Sequence, residues 1–170
     1  MTTDSTARGY VAPADSLAER VILVTGAGGG LGSALATACA ALVARVVLCG
    51  RKVPKLERLY DAIVAAGGPR PSIAPLGLGR ADASHYDALA DAVRNEFGRL
   101  DGLVHAAGLL GERAPIEHYD VVTWMKVMHV NVNAPFILTR ALLPLLRASD
   151  DASVVFVTSG VSVQGRAYWG

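Results

Sequence analysis

Apolar residues along this chain follow two rhythms. Short unbroken runs at 20–25 (RVILVT), 45–50 (RVVLCG), 100–108 (LDGLVHAAG) and 152–159 (ASVVFVTS) show little alternation with polar residues. Such runs suit parallel strands buried on both faces. Between them lie Ala- and Leu-rich stretches with helical character at 31–44, 53–68, 84–98 and 121–146. In the second stretch, Pro54 suits the first helical turn and Gly67 a C-terminal stop. In the third, Ser84 is the expected cap and Gly98 the stop. The segment 71–78 (PSIAPLGL) reads as a third strand, weakened by Pro75. The long last stretch is expected to break or kink near Pro135 and Pro144.

Repeated strand–helix alternation predicts an α/β fold with helices on both faces of a parallel sheet. Right-handed crossovers then give a doubly wound sheet of order 3-2-1-4-5. Residues 19–170 are read as one domain and the polar segment 1–18 as a flexible lead. The chain has 170 residues, 52% apolar and 18% charged, which suffices for a sizeable core. A net charge of +1 without a long basic block gives no sign of a nucleic-acid partner. The N-terminus lacks the apolar run of a secretory signal, and the uncharged, Ala-rich helical stretch 31–44 is too short to span a bilayer. A soluble, cytoplasmic protein is expected, with Cys39 and Cys49 as buried, reduced thiols without metal-ligand spacing.

The loop VTGAGGGLG joins the first strand to the first helix. Gly26, Gly30 and Gly32 fall where a dinucleotide loop needs small residues, for a sharp turn, a close approach to pyrophosphate and tight helix–strand packing. The helix N-terminus would offer free N–H groups to the phosphates. A glycine-rich turn without a ligand is the plainer alternative. After the second strand, where a carboxylate would hold an NAD ribose, stands CGRK. Arg51 can fork onto a 2′-phosphate and Lys52 adds charge, which favours NADP over NAD. A solvated basic pair explains the same residues without a ligand.

Four motifs in order resemble the short-chain dehydrogenase/reductase family. TGAGGGLG resembles its TGxxxGxG loop, and LDGLVHAAG its Asn-Asn-Ala-Gly-type strand. VMHVNVNAPFILTRALLPLL resembles the helix with a catalytic Asn, and VVFVTSGVSVQGRAYWG the strand and loop with a catalytic Ser. The similarity runs from about residue 17 to 170 and is nearest to the bacterial YciK-type oxidoreductases. It implies a Rossmann fold and hydride transfer between NADPH, or NAD as the alternative, and a small carbonyl or alcohol. Thr25, Gly26, Gly28, Gly30, Leu31, Gly32, Arg51, Ala107 and Gly108 would serve the cofactor. Asn131 would hold a water in the proton relay, and Ser159, after a buried strand, would hydrogen-bond the substrate carbonyl. The resemblance also implies pairing of copies through the helices after strands four and five; core packing explains their apolar residues equally well.

The chain departs from the family at several points. His105 stands first in the strand-four motif and reads as a packed strand-end residue rather than a base. Gly77 stands where an Asp would contact adenine, with Asp82 a doubtful substitute. Val43 stands where Gly is usual before strand two, which is costly if φ is positive there. The family's acid is a Tyr with a Lys four residues on, about a dozen residues after the Ser. Tyr168 comes too early and is read as a loop aromatic beside Trp169. The expectation is therefore an incomplete domain, crippled or inactive in turnover, with later strands missing and strand five an open apolar edge. Two further readings compete: a non-catalytic dinucleotide-sensing module, and a different Rossmann chemistry such as methyl transfer, which CGRK disfavours.

Overall fold

The computed structural model describes residues 10–169. Strands β1 (Val21–Thr25), β2 (Arg45–Gly50), β3 (Ser72–Pro75), β4 (Gly102–His105) and β5 (Ser153–Phe156) form one sheet. Its order is β3-β2-β1-β4-β5, and every pairing is parallel, as the alternation predicts. The helices are α1 (Gly30–Ala41), α2 (Val53–Ala65), α3 (Ala83–Phe97), α4 (Val121–Met128) and α5 (Ala134–Arg147). No helix among the described residues is long and apolar enough to cross a membrane.

Strand β1 explains why its sequence shows no alternation. Val21 and Leu23 pack with Tyr86 and Leu89 of α3 and with Leu138 and Leu142 of α5. Ile22 and Val24 pack on the other face with Ala36 and Ala40 of α1 and with Leu56 and Ile63 of α2. Both faces are therefore apolar. Each such Leu or Val, fully buried, contributes about 1.5–3 kcal/mol.

The helix ends give two agreements, one strained variant and one correction. Helix α2 closes with Gly67 at φ 83°, Gly68 N donating to Ile63 O at 3.0 Å and Gly67 N to Val64 O at 3.0 Å. Helix α1 closes with the same pair of bonds, Ala44 N to Cys39 O (3.1 Å) and Val43 N to Ala40 O (3.0 Å). The left-handed residue there is Val43, at φ 69°. For a residue with a Cβ this conformation costs about 1–2 kcal/mol. Gly98 ends α3 at φ 75°, as expected. Its cap, however, is Asp82, not Ser84. Ser84 already lies within the helix, and its hydroxyl donates to Asp82 Oδ1 at 2.6 Å, which also accepts from His85 N. The Ser84 bond foremost, then those from His85, hold the Asp82 carboxyl down at about 2.

The break in the long last stretch falls just before Pro135, as expected, and not at Pro144. Pro135 sits in the first turn of α5 and Pro144 inside that helix. Between α4 and α5 runs a π-helical turn, His129–Asn133, whose wider coil carries Asn131. Strand β5 is the open apolar edge expected of it rather than the doubly covered strand its unbroken run suits: the run is exposed, with Phe156 at 55%. Among the described residues it pairs only with β4, at the edge of the sheet.

At the opposite end of the strands, buried Asp101 gathers the sheet. It accepts from Val21 N (2.8 Å) and Ser149 Oγ (2.7 Å) and lies against Arg20 and Arg99. Arg20 continues to Asp151, just before β5. Of the lead segment, residues 1–9 lie outside the described residues. Within the rest, Leu17 N donates to Leu42 O at 3.1 Å and its side chain packs on the core between α1 and α2.

Candidate functional site

The glycine loop is shaped by contact with the turn after β4. Gly26 has φ 68°, and a Cβ there would lie 2.8 Å from Ala107 Cα. Both the turn and the close approach require glycine. A Cβ on Gly32 would lie 2.2 Å from Gly26 O, so the first turn of α1 rests directly on the loop. Buried Thr25 completes the joint: its Oγ1 accepts from Ala106 N (3.1 Å) and Ala107 N (3.2 Å) and donates to Val104 O (3.3 Å). Thr25 thus steadies the loop after β4 more than the glycine loop itself. Gly29 caps α1 without a side-chain bond, which leaves the first N–H groups of the helix free of side-chain partners.

Above these contacts opens a cleft of about 670 Å³ at the carboxyl ends of the strands. This is where open α/β sheets take their ligands. Gly26, Gly28, Arg51, Ala107 and Gly108 border it, as the motifs imply. Thr25, Gly30, Leu31 and Gly32 do not: Thr25 and Gly32 are buried beneath the loop, and Gly30 and Leu31 start α1 on its exposed side. Three cations that the motifs did not single out border it as well: Lys55 from α2, Arg80 from the β3–α3 loop and Lys126 from α4. Lys55 was recognisable as lying four residues after Arg51 at a helix start; Arg80 and Lys126 carried no local signal. With Arg51 and Lys52 they make the wall basic, and among the described residues no Asp or Glu borders it. None of these five cations forms an ion pair among the described residues.

Asn131 reaches from the π turn to the loop after β4. Its Oδ1 accepts from Leu109 N and its Nδ2 donates to Leu109 O, both at 2.8 Å. Asn131 Oδ1 also lies 3.8 Å from the place of a Cβ on Gly108, so the amide stands beside the cleft. Ser159 follows β5 and caps a single 3-10 turn, Gly160–Ser162. Its own carbonyl accepts from Ser162 Oγ at 2.6 Å; its side chain is exposed and makes no cap bond. Ser159 borders neither the cleft nor a second groove of about 550 Å³ between α5 and Phe156.

His105 is packed, as expected. Its Nε2 meets Thr139 Oγ1 at 2.9 Å, and its ring stacks on Phe156 with centroids 4.7 Å apart. Its Nδ1 is buried without a partner. Burial takes its pKa down to about 4, so the ring is neutral at pH 7. Tyr168 is exposed beside Trp169, over whose ring the Arg113 guanidinium lies at 5.6 Å. Asp82, turned to the α3 cap, does not border the cleft.

Comparison with known proteins matches this arrangement. The family model described as short chain dehydrogenase matches residues 20–170. The uncharacterised oxidoreductase YciK of Escherichia coli K12 is 43% identical over 95% of this chain, which spans 64% of that protein. A short-chain dehydrogenase structure from Pseudomonas syringae superposes with a TM-score of 0.92 at 53% identity, over 95% of this chain and 66% of that one. One from Escherichia coli CFT073, complexed with NADPH, superposes with a TM-score of 0.91 at 43% identity, over 94% and 66%. The chain thus spans less than two thirds of the length of its curated relative. Motifs, sheet order and matched length converge, and the chain belongs to the short-chain dehydrogenase family.

Proposed function

We propose that the chain forms the cofactor-binding part of an NADP-dependent oxidoreductase acting on a small carbonyl or alcohol. The observation that carries this reading is the basic cleft without a carboxylate. A 2′-phosphate and a pyrophosphate are anions, and a wall of Arg51, Lys52 and Lys55 favours them where a carboxylate would repel the 2′-phosphate. The residues therefore fit the dinucleotide. Gly26 and Gly28 would let the backbone approach it, and the α1 N-terminus would offer its N–H groups to the phosphates. Ala107 and Gly108 form the floor after β4. A bound nicotinamide would supply or accept the hydride. In this reading Asn131, held by Leu109, keeps one amide N–H for a water, and Ser159, outside the cleft but with no cap bond on its hydroxyl, would offer it to a substrate oxygen. His105 and Tyr168 take no part in proton transfer in this reading.

The NADPH-bound family structure supports the choice of cofactor. Calorimetric titration of the purified chain tests it: NADPH should bind about tenfold or more tightly than NADH, the worth of a charge-assisted contact. Equal affinities would remove the NADP assignment. The free thiols of Cys39 and Cys49 support a cytoplasmic setting. Exposed Phe136 and Leu143 on α5 support pairing of copies through that helix. Sedimentation as a monomer at all concentrations would remove the pairing.

A further inference from the structure

We infer that Arg80, on the loop between β3 and α3, is a specificity-determining residue that grips the cofactor's 2′-phosphate together with Arg51. The inference rests on the dinucleotide reading above and assigns a role to Arg80, which the motifs leave without one. The loop turns back on itself: Arg80 N donates to Gly77 O at 2.9 Å and Ala81 N to the same oxygen at 3.1 Å. Arg80 is thereby folded towards Gly77. Arg51 comes to the same place from the end of β2. Its Cγ lies 3.5 Å and its Cδ 3.9 Å from where a Cβ of Gly77 would stand. The apolar stem of Arg51 thus lies over the loop that carries Arg80, and both residues border the cleft.

Charge points the same way. Neither guanidinium has a carboxylate partner among the described residues. The nearest acid in sequence, Asp82, is occupied by Ser84 and His85 at the α3 cap. Gly77 places no side chain between the two arginines' attachment points. A phosphate monoester presents three terminal oxygens and close to two negative charges, enough for a fork from each guanidinium. A ribose hydroxyl presents one oxygen and no charge. A grip from two loops therefore discriminates more strongly than one from Arg51 alone, and it works at the ribose rather than at the pyrophosphate.

The test is titration of the purified full chain and of Arg80→Gln with NADPH, NADH, 2′,5′-ADP and 5′-AMP, with circular dichroism as a check on folding. Arg80→Gln should weaken NADPH and 2′,5′-ADP about tenfold and leave NADH and 5′-AMP within about twofold. Arg80→Lys, which keeps the charge and loses the fork, should fall between the two. The inference is overturned if Arg80→Gln leaves NADPH unchanged, or weakens all four ligands alike. If the parent chain binds NADPH and NADH equally, the failure lies with the NADP reading itself.

Discussion

Val24 and Val155 lie in one row of the sheet, each opposite Val104, and they live in different surroundings. Val24 is 0% exposed, whereas Val155 is 48% exposed. Their sequences, VILVT and SVVF, carry the same apolar signal. What separates them is cover supplied from elsewhere: α1 and α2 close over Val24. The two candidate ends of the site inherit this difference. The glycine loop stands on a strand locked from both faces, with Thr25 tied to the turn after β4. Ser159 stands beyond an edge strand, with its hydroxyl uncommitted. Among the described residues, the glycine loop is thus organised by contacts on both sides, and the segment that carries Ser159 leans on β4 through β5.

The largest blow to that contrast comes from Gly32→Val. The added carbons have no room beside Gly26 O, so we expect a loss of about 3 kcal/mol and of dinucleotide binding. Chemical denaturation measures it. A midpoint equal to that of the parent would mean that the helix does not rest on the loop.

Asp101→Asn tests what the two regions share, since Asp101 holds β1 directly and reaches the approach to β5 through Ser149. We expect a loss of about 2 kcal/mol at neutral pH. Burial pushes the Asp101 pKa up, but bonds from Val21 N and Ser149 and the charges of Arg99 and Arg20 outweigh it, and the net direction is down. A lowered folded pKa contributes stability above the ordinary carboxylate value of 3.8, lost as pH falls through the folded value. Unfolding curves below about pH 4 should therefore fall away for the parent and run flatter for Asp101→Asn. Parallel acid limbs would show that another carboxylate governs them.

The smallest effect sharpens the comparison from the other side, because the well-covered region carries its own strain. Val43→Gly should stabilise by about 1 kcal/mol, the left-handed penalty less the added flexibility of the unfolded chain. Gly67 already fills the equivalent place after α2, which makes α2 the internal reference. A lower melting temperature would show that the Val43 side chain packs more usefully than its backbone suffers.

Where physics is local, the sequence was legible. Unbroken runs mark β1 and β2 because both faces are covered, and Gly67 and Gly98 mark helix ends because L-residues resist positive φ. The glycine loop and Arg51 were placed at the cleft for the same reason. What depends on tertiary partners was not legible. Pro135 announced a break beside it, but not that the break is a π turn whose Asn131 pairs with Leu109. Arg80 and Lys126 enter the cleft only through the way their loop and helix are carried over the sheet. Ser84 lost the α3 cap to a residue two positions earlier, a margin that spacing alone does not resolve.

The pairing of Asn131 with Leu109 imitates a β-bridge. One side-chain amide supplies the donor and acceptor that a facing peptide unit would supply, at the same two points and both at 2.8 Å. The segment after β4 is thus gripped like a strand although no strand lies beside it. The π turn is the irregularity that sets the amide at the right height. A carboxylate in its place could accept but not donate, and a shorter side chain would reach neither point. Helix and loop are stitched at one residue, so any displacement of the α4–α5 junction is handed on to the floor of the cleft.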